Sequence, residues 1–451
     1  MEEKSFFIKT FGCQMNIRDS EIMAQKLGEH GYIESGSIED ASVVILNTCS
    51  VRAKAEQKVF SLLGSLRKVK KSNPGMKICV AGCVAQQEGQ NILERMPHVD
   101  LVIGTQAIYD LPLLLQNMQG KTAINLSDAY EIPRYIPRLN SQEPKSAVIG
   151  NDTAVFSRFV TIMQGCNNFC TYCVVPYTRG REVSRRVIDI LDEVKTLVDS
   201  GVPEIVLLGQ NVNSYGRSNP VAAGGLPYSF ARLLHEVAAI DGLKRLRFTT
   251  SNPKDLSDEL INCFASITNL CPQFHLPVQS GSDSILKRMN RKYTIRTYLD
   301  KVERLIEVRP DIAITTDMII GFPGETEQDF RETMDLLDKV RFHGSFSFKY
   351  SDRPGTKAAA LDGKVDEQVK SERLQVFQKR QDEISLARNT AYIGRSLSVL
   401  LESVQVNLAR GRTGTNHIVH VQLKEAAKPG HFIKAHIYHA GQHSLKATQV
   451  L

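Results

Sequence analysis

The sequence predicts an α/β protein in three parts: a doubly wound parallel-sheet amino-terminal domain, an open (β/α)6 partial barrel, and a small carboxy-terminal antiparallel β-barrel. Three observations carry that expectation. Apolar runs alternate with amphipathic helical stretches from the amino terminus onward, the pattern of parallel strands with helices on their faces. An aperiodic, proline-bearing stretch interrupts the alternation before it resumes. The tail then abandons helical periodicity for short alternating strands punctuated by Gly394, Gly411, Gly414, Gly430 and Gly441.

Taken in order, strand-like Phe6 to Phe11 precedes a helix near Asp19 to His30, stopped by Gly31. Val43 to Leu46 precedes a second helix, in which Val59, Leu62, Leu63, Leu66 and Val69 form a stripe at spacings of three and four. Ile78 to Ala81 precedes a third. Residues 1–128 therefore read as one domain and 129–154 as a linker. The second alternation sets strands near 159–164, 204–208, 245–250, 273–278, 313–319 and 345–350, all but the last clearly followed by a helix. Six units are too few for the usual eightfold barrel, so 155–385 is expected to form an open one, with its site built from loops at the strands' carboxyl ends. A long charged helix, about Asp366 to Thr390, leads into a final domain at 386–451.

Composition narrows the class. With 451 residues, 42% of them hydrophobic and 23% charged, the chain has the balance of a soluble protein of about three domains. No run approaches the roughly 18 apolar residues of a membrane span. MEEKSFFIKT lacks the apolar core of a secretion signal, so a cytoplasmic protein is expected, with no membrane partner. Eight Lys/Arg against two acids in 386–451 concentrate nearly all of the +7 net charge in the tail, which suits attraction to phosphates. Six of the eleven histidines lie there too, at His417, His420, His431, His436, His439 and His443, without metal-ligand spacing.

Nine cysteines in a cytosolic chain point to metals or catalysis rather than disulfides. QGCNNFCTYC sets Cys166, Cys170 and Cys173 in a CxxxCxxC pattern directly after the strand FVTIMQ. Three thiolates so close can wrap one compact centre, and on a four-iron cluster they leave one iron open to chelate a substrate's amino and carboxylate groups. Zinc completed by a ligand from elsewhere is the alternative. Cys13 in TFGCQMN, Cys49 in NTCSVR and Cys83 in VAGCVAQ each follow a strand and precede a helix, so a parallel sheet should bring all three to one edge, where a second cluster fits. Cys79, inside KICVA, reads as structural, as do Cys263 and Cys271.

The CxxxCxxC spacing with an aromatic, Tyr172, just before its last cysteine resembles the radical S-adenosylmethionine superfamily. Both cysteine sets together with a basic barrel tail closely resemble the methylthiotransferase family over nearly the whole chain, the tail corresponding to its TRAM domain. CQMN, NTCSVRAKAEQKVFSLLG, VVPYTRGRE, LLGQNVNSYG, HLPVQSGSD, GFPGET and RPGTKAA are similar to the branch acting on prenylated adenosine beside the tRNA anticodon. The resemblance implies two 4Fe-4S clusters and S-adenosylmethionine as both radical source and methyl donor. It also implies a tRNA anticodon stem-loop as substrate, a low-potential electron donor, and a sulfur source or iron-sulfur carrier. The catalysis is cluster-bound, with no single catalytic side chain assigned. The alternatives are the same chemistry on threonylcarbamoyl-adenosine or a ribosomal-protein aspartate, and a zinc-bearing RNA-binding module.

Further candidates follow from position. Gly209, Gln210, Asn211 and Asn213 after the second barrel strand, and Gln279 and Ser280 after the fourth, are expected with Tyr172 to contact S-adenosylmethionine. Arg179, Arg181 and Arg185 beyond the cysteine loop, Asp317 and Glu325 around the fifth strand, and Arg410 and Arg412 in the tail are candidates for substrate contact. GFPGET lacks the Gly-Lys-Ser/Thr ending of a phosphate-binding loop, which excludes that class of NTPase.

Overall fold

The computed structural model describes residues 4–50, 53–118, 123–126, 132–138, 156–218 and 228–451, so most of the expected linker lies outside the described residues. The chain divides into two compact units, one of 1–151 with 159–167 and 174–196, the other of 152–158 with 168–173 and 197–451. Among the described residues no helix is long and apolar enough to cross a membrane.

In the first unit β1 (Ser5–Phe11), β2 (Ile33–Glu34), β3 (Val43–Thr48), β4 (Lys77–Gly82), β5 (Leu101–Ile103) and β6 (Ala123–Asn125) form an all-parallel sheet in the order β2-β1-β3-β4-β5-β6. Period-two alternation sends Ile45 and Cys79 to one face, beneath Ile22, Met23 and Leu27 of helix Gln14–Glu29. Leu46 and Val80 point to the other, beneath Val59, Leu63 and Leu66 of helix Ala53–Ser72. The first helix begins at Gln14, well before the expected Asp19, with the Cys13 carbonyl accepting from Ile17 N at 3.1 Å. Its first turns bury Asn16, Arg18, Asp19 and Ser20, and buried polar residues erase the apolar stripe by which a helix is recognised. The third expected helix is two short ones, Cys83–Glu88 and Gln90–Arg95, broken at Gly89 with φ 43°.

Strand β7 (Ser157–Thr161) contributes residues to both units. The first unit also holds the antiparallel pair β8 (Met163–Gln164) and β9 (Val183–Ser184). In the second, β10 (Glu204–Leu208) pairs in parallel with β11 (Arg245–Phe248), and β12 (Gln273–His275), β13 (Ala313–Ile320) and β14 (Gly344–Lys349) form a parallel set. Phe230, Phe264 and Phe274 surround Phe248 within 5.1–6.0 Å. The helix Glu367–Thr390, capped by Asp366, leads to a closed barrel of β15 (Ser396–Gln405), β16 (Leu408–Thr413), β17 (Ile418–Gln422), β18 (Phe432–Ala440) and β19 (Ser444–Gln449). It is antiparallel as expected except for β17 and β19, which run parallel because the β18–β19 hairpin returns to close the ring.

The barrel docks at the amino-terminal end of the parallel strands through two arginines of β11. Arg245 donates to the carbonyls of Ser398 and Arg412, each at 2.9 Å. Arg247 donates to Thr413 O at 2.7 Å and Gly414 O at 2.9 Å while its Nε meets Glu204 at 2.9 Å. Beside them burial, with Arg388 and His417 adding repulsion, depresses His343 to about 3, and burial depresses His417 to about 4.

Replacing Arg247 with Met leaves Glu204 without its nearest charge partner, takes the arginine's hydrogen bonds from Thr413 O and Gly414 O, and is expected to cost about 3–5 kcal/mol in denaturant unfolding. For the histidines, the unfolded chain takes up protons below about pH 6.5 that the folded chain refuses, so stability falls as pH drops from there toward 4. By pH 5 the loss is about 1–2 kcal/mol per histidine. A His343→Gln/His417→Gln double variant should flatten that part of the stability profile, and an unchanged slope would contradict their neutral burial.

Candidate functional site

Cys13, Cys49 and Cys83 lie just beyond the carboxyl ends of β1, β3 and β4, three adjacent strands. The register aligns Phe11 with Thr48 and Thr48 with Gly82, so the cysteines emerge at nearly the same level. Cys49 N donates to Phe11 O at 2.9 Å, tying two of the loops together. The preceding glycines make room: a Cβ on Gly12 would lie 2.4 Å from Cys49 Cβ, and one on Gly82, at φ 92°, would lie 2.4 Å from Asn47 Oδ1.

Asn47 and Asn16, both fully buried, brace this edge from below. Asn16 Nδ2 donates to Asn47 Oδ1 at 3.0 Å, and Asn47 Nδ2 donates to Asn16 O at 2.8 Å and Ser20 Oγ at 2.9 Å. The Cys13 thiol donates to Asn16 Oδ1 at 3.3 Å. Its pKa is lowered to about 6, chiefly by the hydrogen bond with Cys49 and, against the upward push of burial, by the Arg179 charge. Burial pushes Cys83 up, with Arg179 opposing. Cys79 differs in kind, since it sits in the apolar core, where burial, with the Asp100 charge adding to it, pushes its thiol far up. Among the described residues no three His, Cys, Asp or Glu side chains are grouped so that they could hold a metal ion.

Two expected substrate contacts are corrected here. Arg179 is only 2% exposed and donates to Asp19 at 2.6 Å. Arg185 is 3% exposed and donates to the carbonyls of Thr161, Tyr135 and Asp189. Its guanidinium also pairs with Glu193, which at 0% exposure is shared with Arg18. Buried charges survive only when paired, so both arginines are held inside the first unit by its own acids instead of being displayed to a substrate's phosphates. Arg181 is exposed.

Within the CxxxCxxC loop, Cys166 belongs to the first unit and its N–H donates to Gly180 O at 3.2 Å. A Cβ on Gly165 would fall 2.0 Å from Arg181 O, which makes glycine obligatory in QGC. Cys170 and Cys173 belong to the second unit, joined by Cys173 N donating to Cys170 O at 3.0 Å. There Arg291 Nη1 donates to Cys170 Sγ at 3.4 Å, while Nη2 holds Pro277 O at 2.9 Å. Tyr172 packs against the cluster of Ile285, Met289, Phe322, Tyr350 and Ala358, and burial raises its hydroxyl well above the ordinary value. Its contacts are those of an anchor for the loop. Arg291 escaped the sequence reading because nothing in RMNRKYT distinguishes it from a surface cation.

Around the carboxyl ends of β10 and β11, Gln210 Oε1, Asn213 Oδ1 and Ser251 Oγ are buried without a hydrogen-bond partner among the described residues. Acceptors left in this state suit an ammonium or hydroxyl group arriving from outside the chain. Gly209 leads into this loop. Asn211 is committed elsewhere: its amide donates to Asp255 at 2.7 Å and its oxygen accepts from Asn252 N at 3.1 Å, so it braces two loops instead of meeting a ligand. Gln279, left-handed at φ 78°, donates its N–H to Asp317 O, and Ser280 Oγ accepts from Ser282 N. Asp317 is partly exposed, 3.4 Å from His275. Glu325 is corrected: it accepts from Gly321 N and from Arg373, both at 2.9 Å, which makes it a turn and ion-pair residue. Arg410 and Arg412 are partly exposed on β16, sharing Glu402.

A cavity of about 840 Å³ opens at the opposite, amino-terminal end of the second unit's strands, lined by Lys244, Arg245, Arg341, Arg388, Tyr392 and Phe432 among others. Size does not make it the site: no ligating side chain of either cysteine set borders it.

Two family descriptions match the chain, Uncharacterized protein family UPF0004 over residues 5–104 and Radical SAM superfamily over residues 160–337. A tRNA-2-methylthio-N(6)-dimethylallyladenosine synthase of Desulfotalea psychrophila is 60% identical, with 100% of both chains covered. One of Syntrophus aciditrophicus is 47% identical over 93% of this chain and 89% of its own. Among solved structures, the radical S-adenosylmethionine methyltransferase TsrM from Kitasatospora setae, with tryptophan substrate and a SAM analogue bound, has a similar fold. Its TM-score is 0.59 at 14% identity, covering 79% of this chain and 75% of that one.

Glu193→Gln should cost about 3–5 kcal/mol of stability by removing the carboxylate that Arg18 and Arg185 share, leaving Arg18 only Glu21 as a charged partner. Chemical unfolding of the full chain measures it, and a loss under 1 kcal/mol would mean that the network is dispensable.

Proposed function

We propose a function for this chain from one premise: it belongs to the tRNA-2-methylthio-N(6)-dimethylallyladenosine synthase family. It is a radical S-adenosylmethionine enzyme that joins a methylthio group to carbon 2 of N(6)-dimethylallyladenosine beside the tRNA anticodon. The observation that carries this reading is the convergence of Cys13, Cys49 and Cys83 on one edge of three adjacent strands, in a chain that also carries the CxxxCxxC loop.

On this reading Cys166, Cys170 and Cys173 hold one 4Fe-4S cluster and Cys13, Cys49 and Cys83 hold an auxiliary one. Each set offers three soft thiol donors, one short of a fully capped cluster. Bound there, the two clusters would, together with S-adenosylmethionine, supply the radical and sulfur-transfer chemistry of the reaction. The chain's own residues bind and orient. Gln210 and Asn213 present buried acceptors to the ammonium of S-adenosylmethionine, with Ser251 beside them. Arg291 holds Cys170 in place and lends its sulfur a positive neighbour. The substrate-facing candidates that remain are Arg181, Asp317, Arg410 and Arg412. Exposed cations on β16 suit RNA phosphates, and extruding a base already in a loop costs only a few kcal/mol. A low-potential electron donor and a sulfur source complete the cycle.

Anaerobically reconstituted full-length protein should contain about eight irons with matching sulfide, on the stoichiometry of two four-iron clusters. Replacing Cys13, Cys49 and Cys83 together should halve that content and abolish methylthiolated product from a prenylated anticodon stem-loop, read by mass spectrometry. A colourless zinc protein without sulfide, or product formed normally by the triple variant, would overturn the reading. Gln210→Ala should raise the KM for S-adenosylmethionine about tenfold, the loss of one hydrogen bond to a charged group.

A further inference from the structure

Arg179 was expected to face substrate, and its burial raises the question of what a desolvated guanidinium does in the first unit. It follows the short helix Val175–Thr178 and is 2% exposed. One arm, Nη2, is held by Asp19 Oδ2 at 2.6 Å, and Asp19 is itself only 1% exposed. The other arm, Nη1, is buried and has no hydrogen-bond partner among the described residues. Besides Asp19, the charges that act on it are those of Cys83 and Cys13, and the short helix it follows packs on the helix that opens at Cys83. A buried donor left empty is costly, and a paired carboxylate satisfies only one side of the fork. A purely structural Arg–Asp pair would turn both arms to protein oxygens, as Arg185 does with three carbonyls and Glu193.

We propose that Arg179 is a positioning residue for the auxiliary cluster: Asp19 fixes its guanidinium so that the free arm donates to sulfur at the Cys13 and Cys83 side of the site. A cationic donor beside cluster sulfur stabilises the more negative, reduced state and sets the centre's potential. Asp19 has two effects, aiming the fork and tempering its charge. The inference rests on the two-cluster reading and adds to it a residue that ligates nothing.

The test uses the full chain with Cys166, Cys170 and Cys173 replaced by Ala, which retains the auxiliary cluster alone. Iron and sulfide content, the electron paramagnetic resonance signal of the reduced centre, and its midpoint potential are compared before and after Arg179→Gln, Arg179→Lys and Asp19→Asn. Arg179→Gln should move the potential negative and change the resonance signal with iron retained. Arg179→Lys, which keeps the charge and loses the fork, should fall between. Asp19→Asn, keeping a partner for Nη2 while removing its charge, should move the potential positive, and it decides the matter if the Gln variant does not fold. A cluster assembled with unshifted potential and signal in these variants overturns the proposal. Absence of any cluster in the parent overturns the two-cluster reading instead.

Discussion

Glu193, without any exposed surface, lies between the guanidinium groups of Arg18 and Arg185, and Asp19 next to Arg18 takes Arg179. These five side chains come from the helix that follows Cys13 and from the segment that follows the CxxxCxxC loop. Once desolvated, none of them can be charged alone, so each segment fixes the other. The constraint explains an otherwise wasteful arrangement, in which the first turns of a helix facing a parallel sheet bury polar and charged groups instead of leucines. The stretch that would ordinarily supply packing supplies position instead. Apolar packing is left to Ile22, Met23 and Leu27 farther along the same helix.

The cysteine edge is built on the same economy of parts. Gly12 and Gly82 are short because Cys49 and Asn47 occupy the space beside them. Asn16 and Asn47 exchange hydrogen bonds beneath the thiols and, with Ser20, close the edge with paired polar groups. A sheet edge made in this way stays rigid without a side chain of the site having to serve the core.

Much of this was legible in the residues. The three strand-to-helix junctions carrying cysteine follow from the alternation of VVILNT and KICVAG with helical stripes, and the parallel sheet places them together. The closed tail barrel follows from its glycine spacing. What stayed hidden was every relationship between charges distant in sequence. Arg179 and Arg185 look like surface cations in TRGREVSRR, because the acids that bury them, Asp19 and Glu193, lie far away along the chain or on the next helix. Glu325 and Asn211 carry the same lesson, since their partners Arg373 and Asp255 are 48 and 44 residues away. Sequence reports what a residue can offer; only the fold reports who accepts it.

The mode by which β11 holds the carboxy-terminal barrel has its own consequence. Arg245 and Arg247 grasp carbonyl oxygens of Ser398, Arg412, Thr413 and Gly414, groups that every amino acid possesses. Those four hydrogen bonds ask nothing of the side chains gripped, whereas the stacking of Arg245 on Phe432 at 4.8 Å and the contact of His343 with His417 add a side-chain requirement. Substitutions elsewhere on the outer face of that barrel therefore leave these four carbonyl anchors in place, so its surface can vary without loosening its mooring.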